Sequence, residues 1–200
     1  APLSERTRAK GTERGEVAVL EGCVMSELYG RVNRATVETL AAVGFASRAP
    51  NGHACCGALH AHNGDLEGTR QTAKATIQAF ESLRDARSEP LPVVVNSAGC
   101  AAHMKDYARF FEHDPAWKER AAKLAARVVD FSQFVARNAP PDWKPRIAPG
   151  SLGLVTYDDP CHLCHGQQIR SQPRVLLDAA CRALGVQRVE LPESESCCGS

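Results

Sequence analysis

Six of the nine cysteines in this chain fall into a repeated pattern that could bind a metal. In the first segment Cys23 precedes a Cys-Cys-Gly triplet that begins at Cys55, and in the second Cys161 precedes one that begins at Cys197. Thirty-one residues separate the single cysteine from the pair in the first segment, and 35 separate them in the second. Thiolates that converge in space bind iron–sulfur clusters or zinc. Matched spacing is difficult to explain by packing alone, so the pattern favours a ligand role.

The sequence around the cysteines repeats as well. In both segments an apolar run leads to the single cysteine, a helical stretch follows, and a glycine (Gly44 or Gly185) precedes a second apolar run and the pair. Repetition of a whole supersecondary unit indicates that the unit has a function. Strands that alternate with helices predict parallel sheets. We therefore expect an α/β fold with two tandem units, each a small parallel sheet with helices, the second truncated.

Two ligand sets follow from this layout. Because ligands gather beyond the carboxyl ends of parallel strands, loops there should bring distant cysteines together. The first set is Cys23, Cys55, Cys56 and Cys100, and the second is Cys161, Cys197 and Cys198, which needs a further partner beyond residue 200. Gly57 and Gly199 leave room for the backbone to approach a bulky cluster. Ordinary buried cysteines and a zinc site remain open as alternatives.

Other residues near these cysteines allow competing interpretations. The stretch from Cys161 to His165 spells C-x-x-C-H, the pattern for covalent haem attachment, but the first segment has no equivalent. We expect Cys164 and Cys181 not to be ligands. His60 and His62 could tune a cluster or carry protons, or could simply cap a loop. His103 could be an unusual ligand because it lies three residues after Cys100.

Composition excludes several classes of function. The net charge of +1 gives no sign of nucleic-acid binding, and no apolar run approaches the roughly 20 residues of a membrane span. The odd number of cysteines argues against a disulfide scaffold and favours a reducing compartment. The chain lacks G-x-G-x-x-G, Walker and H-E-x-x-H motifs. The segment is therefore suited to electron transfer more than to bond chemistry.

The predicted organisation has four parts. Residues 1–15 are expected to be a linker, 16–138 the first cysteine-rich domain, 139–150 a Pro-rich linker, and 151–200 a truncated second domain. The chain begins with Ala1-Pro2, and we interpret it as a piece of a longer protein. Val93–Val95 predicts a buried parallel strand, and Asp65 predicts a helix cap. A stripe at helical spacing predicts a core face and comprises Trp117, Ala121, Leu124, Val128, Phe131 and Val135.

Four motifs in order resemble a known family. They are Leu20-Glu21-Gly22-Cys23, Ala54-Cys55-Cys56-Gly57-Ala58, Asn96-Ser97-Ala98-Gly99-Cys100 and Glu193-Ser194-Glu195-Ser196-Cys197-Cys198-Gly199-Ser200. This combination is similar to the CCG cysteine-rich domains of the glycolate oxidase iron–sulfur subunit. Related domains occur in heterodisulfide reductase, lactate-utilisation proteins and anaerobic glycerol-3-phosphate dehydrogenase. The wider family ends the third motif in C-x-x-C, where this chain has Cys100-Ala101-Ala102-His103, so one ligand of the family pattern is missing.

The resemblance implies a role in the oxidation of glycolate to glyoxylate. It implies a [4Fe–4S] cluster on the cysteines named above, and FAD on a separate glycolate oxidase subunit rather than on this chain. It also implies that the chain is not catalytic alone, that an acceptor such as a quinone takes the electrons, and that an N-terminal ferredoxin-like region lies upstream. We expect a cytoplasmic location, with peripheral attachment to the inner membrane. Two other classes stay open: a structural zinc module, and a heterodisulfide-type catalytic subunit.

Overall fold

In a computed structural model the described residues are 3–50, 55–141, 143–145 and 153–196. The chain divides into two compact units, Ala1–Phe131 and Ser132–Ser200. Both contain helices and a mostly parallel sheet, which confirms the predicted α/β class. Within the described part of the chain, no helix combines the length and apolar character of a membrane span.

The first unit is built on a five-stranded sheet with the order β1-β3-β2-β4-β5. Its strands are β1 Arg6–Thr7, β2 Gly15–Val19, β3 Phe45–Arg48, β4 Val93–Val95 and β5 Val128–Asp130. The pairs β2–β3, β2–β4 and β4–β5 are parallel, and Val19 lies opposite Val94. All three residues of β4 are fully buried, so the predicted buried strand is confirmed. Runs of valine are typical of parallel strands that are covered on both faces.

Helices connect these strands. In chain order they are α1 Cys23–Leu28, α2 Gly30–Ala42, α3 Ala58–His62, α4 Leu66–Glu81, α5 Ala98–Lys105, a 3-10 helix Tyr107–Phe111 and α6 Pro115–Ala125. The next helix, α7 Phe131–Asn138, follows β5 at the boundary between the two units. The Asp65 carboxylate accepts a hydrogen bond from the Gly68 N–H at 2.8 Å, which confirms the predicted cap of α4. The core packs Ile77, Phe80 and Met104 against the sheet.

Two parts of this unit are more complex than the sequence pattern indicates. Ala121, Leu124 and Val128 of the predicted core face do lie in the core, but the stripe is not one helix, because β5 interrupts it after α6. Residues 1–15 are not a linker throughout, because β1 pairs antiparallel with β3 and Arg6 forms an ion pair with Glu16 at 2.8 Å. A two-residue strand is too short to produce a detectable period, and its pairing depends on residues about 40 positions away.

The second unit repeats the first part of the first unit. After α7 its described elements are β6 Leu154–Val155, α8 Cys161–Cys164, α9 Ser171–Leu184 and β7 Gln187–Arg188, and the two strands are parallel. In both units a strand leads to a short helix that begins with the single cysteine, and a longer helix then ends near a glycine of positive φ. These glycines are Gly44, with φ of 91°, and Gly185, with φ of 69°. The order of elements predicted from the repeat is therefore present.

Cys197 and Cys198 lie outside the described residues, as does most of the 139–150 segment, so the domain boundaries stay a prediction.

Candidate functional site

The four cysteines of the first predicted set lie together in the first unit. The Sγ atoms of Cys23 and Cys55 are 3.3 Å apart, and those of Cys56 and Cys100 are 3.1 Å apart. Cys23 begins α1 after β2, the pair follows β3, and Cys100 lies in α5 after β4. Since β3, β2 and β4 are adjacent parallel strands, their carboxyl ends meet at one edge of the sheet. The topology thus explains why residues distant in sequence come together.

Two hydroxyl groups fix the backbone of the cysteine pair. Thr76 of α4 donates a hydrogen bond from Oγ1 to the carbonyl of Cys55 at 2.7 Å. Tyr107 donates its phenol proton to the carbonyl of Cys56, also at 2.7 Å. Both side chains are buried. The two contacts therefore orient consecutive peptide groups and with them the directions of the two thiols.

Gly57 contributes through its backbone. Its N–H lies 3.4 Å from the Cys55 sulfur, and its φ is 81°, in the left-handed region that glycine adopts without strain. A Cβ at this position would meet the Cβ of Thr72 at 3.4 Å. The expectation that this glycine offers an N–H to sulfur agrees with this geometry, whereas the room it would leave for a cluster stays a prediction.

An amide network joins the loops that carry Cys23 and Cys100. Glu21 lies two residues before Cys23, and its carbonyl accepts a hydrogen bond from Asn33 Nδ2 at 2.9 Å. Asn96 lies four residues before Cys100, and its Nδ2 donates to Asn33 Oδ1 at 2.9 Å. Asn33 is almost completely buried, and a buried amide group without a hydrogen-bond partner would destabilise the fold. The network thus fixes the two cysteine loops relative to each other.

The four thiols differ in acidity because they share hydrogen bonds. The Cys56 thiol lowers the pKa of Cys55 to about 5, helped by the Gly57 N–H, and it also lowers the pKa of Cys100 to about 7. The pKa of Cys56 itself is raised, first by its hydrogen bond with Cys100. Burial raises the pKa of Cys23. Two thiols therefore hold protons while the other two approach thiolate character, because four adjacent negative charges would repel one another.

This donor set fits a metal–thiolate group. Four cysteine sulfurs suit an iron–sulfur cluster or zinc. The sulfur contacts of 3.1 and 3.3 Å are shorter than the roughly 3.8 Å between sulfurs around a tetrahedral metal with bonds of about 2.3 Å. The thiols would therefore have to separate on loading. Accordingly, among the residues that the structure describes, no group of three or more His, Cys, Asp or Glu has the arrangement of a ready metal site. The ligand role of the four cysteines stays a prediction.

In the second unit a buried ion pair holds the loop that carries Cys161. Asp159, whose side chain is fully buried, accepts from Arg174 Nη1 at 2.8 Å and from Nη2 at 2.6 Å. Ser194 donates from Oγ to the same carboxylate at 3.0 Å, and its carbonyl accepts from the Asp159 N–H at 2.9 Å. Cys161 is thereby tied to the turn that leads to the predicted pair at 197–198. Cys164 and Cys181 are buried.

The histidines take different positions. His60 contacts the capping Asp65 through Nδ1 at 2.9 Å, which matches the interpretation as a loop cap. His103 is 9% exposed, and burial lowers its pKa to about 4. Its ring lies edge-on to Tyr107, with the ring centroids 5.5 Å apart. Sequence reasoning missed the residues that position the site, chiefly Thr76 and Tyr107. The only signal for them was a hydroxyl on an otherwise apolar helical face.

Comparison with known proteins gives consistent matches. The model of the CCG family, described as a cysteine-rich domain, matches residues 17–105 and 155–200. A probable glycolate oxidase iron-sulfur subunit of Bacillus subtilis (strain 168) is 34% identical over 95% of this chain, which spans 40% of that protein. Lactate utilization protein A of Geobacillus thermodenitrificans (strain NG80-2) is 29% identical over 92% of the chain and 72% of its own length. Lactate utilization protein A 2 of Bacillus mycoides (strain KBAB4) is 30% identical with the same coverage. The family match covers more than half of the chain in the two segments that carry the repeated cysteines, and the chain therefore belongs to the CCG cysteine-rich domain family.

Proposed function

We propose that this chain is the iron–sulfur electron-transfer part of an oxidoreductase complex that oxidises a 2-hydroxy acid. The observation that carries the proposal is the convergence of the sulfurs of Cys23, Cys55, Cys56 and Cys100 at one sheet edge. The names of the relatives, a glycolate oxidase iron-sulfur subunit and lactate utilization proteins, favour this class of complex. Glycolate is the substrate we propose first, with lactate as the alternative.

The residues of this chain would hold and orient the cluster. Cys55 and Cys100 have the lowered pKa values that favour thiolate ligands, and the hydroxyls of Thr76 and Tyr107 keep the pair in position. When bound, an iron–sulfur cluster, here proposed as [4Fe–4S], accepts and releases electrons one at a time. Cys161, with the pair at 197–198, is the proposed second ligand set.

The hydride would be removed elsewhere in the complex. We propose that a flavin-containing subunit with FAD oxidises the hydroxy acid, that this chain carries the electrons onward, and that a quinone is the acceptor. The chain has no motif for flavin binding, which supports a separate flavin subunit. All described cysteines are free, which supports a reducing compartment. We therefore propose a cytoplasmic location, peripheral on the inner membrane.

Metal analysis and rapid kinetics test the proposal on the complete complex. We expect iron and acid-labile sulfide in the purified protein, whereas a structural zinc module would be colourless. Cys55→Ala should slow steady-state reduction of the acceptor while stopped-flow reduction of the partner flavin stays largely intact. Cys181→Ala, at a buried cysteine of α9, is the matched control and should change neither rate. Unchanged rates for Cys55→Ala, or glycolate oxidation by this subunit alone, would refute the relay function.

A further inference from the structure

The sulfur contacts in the first unit are close enough for disulfide chemistry. The Sγ atoms of Cys23 and Cys55 approach to 3.3 Å and those of Cys56 and Cys100 to 3.1 Å, whereas a disulfide bond is about 2.05 Å long. Each contact would therefore have to shorten by only about 1 Å. The two contacts join positions that are 32 and 44 residues apart in the chain. The four cysteines thus form two pairs of thiols, each placed to be joined by oxidation.

A disulfide within the Cys55-Cys56 pair is disfavoured, although these two thiols also share a hydrogen bond. Consecutive Cα atoms are about 3.8 Å apart across a trans peptide, below the range of about 4.4–6.8 Å that disulfides usually span. Such a ring would have to twist the peptide group between the two residues. Thr76 holds the carbonyl of that peptide group, and Tyr107 holds the next one. The hydroxyls that orient the pair therefore direct oxidation to cysteines of other loops.

An oxidant can reach both contacts. Cys23, Cys55 and Cys100 are partly exposed, and only Cys56 of the four is buried. Each contact therefore has at least one sulfur that is open to solvent. Because its partner already lies against it, an oxidised sulfur would be captured by the partner thiol before a second oxidant molecule arrives.

With hydrogen peroxide as the oxidant, each disulfide forms in two balanced steps. The exposed sulfur attacks one peroxide oxygen, the O–O bond breaks, and one water leaves as a sulfenic acid forms. The partner thiol then attacks that sulfur, the S–O bond breaks, and a second water leaves as the disulfide forms. Two thiols thus lose two electrons and two protons, which convert one peroxide into two waters. A dithiol reverses the reaction by two thiol–disulfide exchanges and is itself oxidised to a disulfide.

We propose that a hydroperoxide reversibly oxidises this site to two disulfides, Cys23–Cys55 and Cys56–Cys100, and that the oxidised site binds no metal until a dithiol reduces it. Disulfides in a reducing compartment are usually transient and redox-sensing. A sulfur in a disulfide has no thiolate to offer a metal, and it is protected from irreversible oxidation to the sulfinic acid. The disulfide pairing is independent of the proposed function, whereas the effect on metal binding rests on it.

Peptide mapping of the full chain, stripped of metal and treated with hydrogen peroxide, tests the pairing. Trypsin places Cys23 in residues 15–31, the cysteine pair in 49–70 and Cys100 in 88–105. After alkylation of the remaining thiols and digestion, we expect a species of all three peptides that has lost two hydrogen atoms per disulfide. A dithiol should separate it into the three peptides. A ring closed within 49–70, a bond between 15–31 and 88–105, cysteines oxidised only to sulfinic acid, or no crosslink would overturn the proposal.

Double variants assign each bond to its two sulfurs. Cys56→Ala/Cys100→Ala keeps the first contact and should still link 15–31 to 49–70. Cys23→Ala/Cys55→Ala keeps the second contact and should still link 49–70 to 88–105. Cys55→Ala/Cys100→Ala is the matched control, because it also removes two cysteines but keeps one sulfur of each contact, and its crosslink should form at least about tenfold more slowly. Equal rates in the control and the two paired variants would show that the contacts do not direct the pairing.

Cobalt(II) measures the effect on metal binding, because its ligation by thiolates gives strong charge-transfer absorption. A Cys161→Ala background removes one member of the proposed second ligand set. We expect the reduced protein to bind Co²⁺, the peroxide-treated protein to show about tenfold less absorption, and reduction by a dithiol that is then removed to restore the signal. Cys181→Ala, at a buried cysteine of α9, should leave all three results unchanged.

The two measurements separate failure of this inference from failure of the proposed function. If the oxidised protein takes up as much Co²⁺ as the reduced protein, the proposed effect on metal binding is wrong. If the reduced protein itself binds none, the ligand assignment under the proposed function is wrong, and the peptide map alone decides the disulfides.

Discussion

The hydroxyl contacts to the cysteine pair lead to a quantitative prediction. Tyr107→Phe removes the donor to the Cys56 carbonyl but keeps the ring volume, so no cavity forms. Tyr107 is fully buried, and the carbonyl would lose its partner where water cannot replace it. Leaving a buried acceptor unsatisfied costs about 1–3 kcal/mol, and we expect about 2 kcal/mol here. Thr76→Val, which removes the contact to the Cys55 carbonyl in a partly buried setting, should cost about 1 kcal/mol.

Urea unfolding of the metal-free protein measures both costs as a shift in midpoint at constant m-value. Tyr29→Phe is the matched control, because Tyr29 is 47% exposed and should change stability by less than about 0.5 kcal/mol. The double variant should deviate from additivity by at least about 0.5 kcal/mol, since both hydroxyls hold adjacent peptide groups. A cost below about 0.5 kcal/mol for Tyr107→Phe, or strict additivity, would refute the view that these contacts act together on the pair.

Two further predictions concern the Cys161 loop of the second unit and the glycine that follows the cysteine pair of the first. Asp159→Asn should destabilise by about 3 kcal/mol because it breaks a buried pair, whereas Asp178→Asn, at a 40% exposed carboxylate, should cost less than about 1 kcal/mol. The arginine partner lowers the pKa of Asp159 in the folded protein, so the contribution of this carboxylate to stability is complete above the unfolded pKa of about 3.9 and is lost as pH falls through the lowered folded pKa. In urea titrations the stability difference between wild type and Asp159→Asn should therefore shrink as pH falls below about 3.9, and a constant difference would contradict this. Gly57→Ala and Gly64→Ala both place alanine at positive φ and should each cost about 1 kcal/mol. Only Gly57→Ala should also slow iron uptake, because only the Gly57 N–H contacts a sulfur of the site. Equal uptake by the two variants would show that Gly57 has no special role at the site.

Local signals in the sequence identified part of this fold. The run Val93–Val95 is apolar and β-branched, and it forms the fully buried strand β4. Asp65 precedes a periodic apolar stretch, and it caps the helix there. The stripe between Trp117 and Val135 correctly predicted a core face, but it could not show that β5 divides the stripe, because the residues of a short buried strand also fall at helical spacing. Val128 is 6% exposed, as a core helix position would be, yet it belongs to β5. Periodicity cannot separate a three-residue strand from a helical turn.

The positioning residues of the site were not predictable in the same way. Thr76 and Tyr107 act over 21 and 51 residues of sequence, and Asn96 reaches Asn33 over 63. A single hydroxyl or amide has no spacing pattern, so its partner is known only once the strands have paired. The cysteines differ from these residues because their repeat is itself a pattern. Sequence therefore identified the candidate ligands, and the topology was needed to identify what orients them.

The arrangement of the four thiols follows from two opposing demands. The sheet edge brings Cys23, Cys55, Cys56 and Cys100 within sulfur contact, and a cluster would need all four as thiolates. Without a cation, four adjacent negative charges in a partly buried site would repel strongly, so the thiols share protons, and the pKa values of Cys55 and Cys56 move in opposite directions. The carbonyl groups of the cysteine pair meanwhile are held by the hydroxyls of Thr76 and Tyr107, which do not contact the sulfurs. The sulfurs can thus exchange protons for a metal and separate, while the peptide groups that direct them stay fixed.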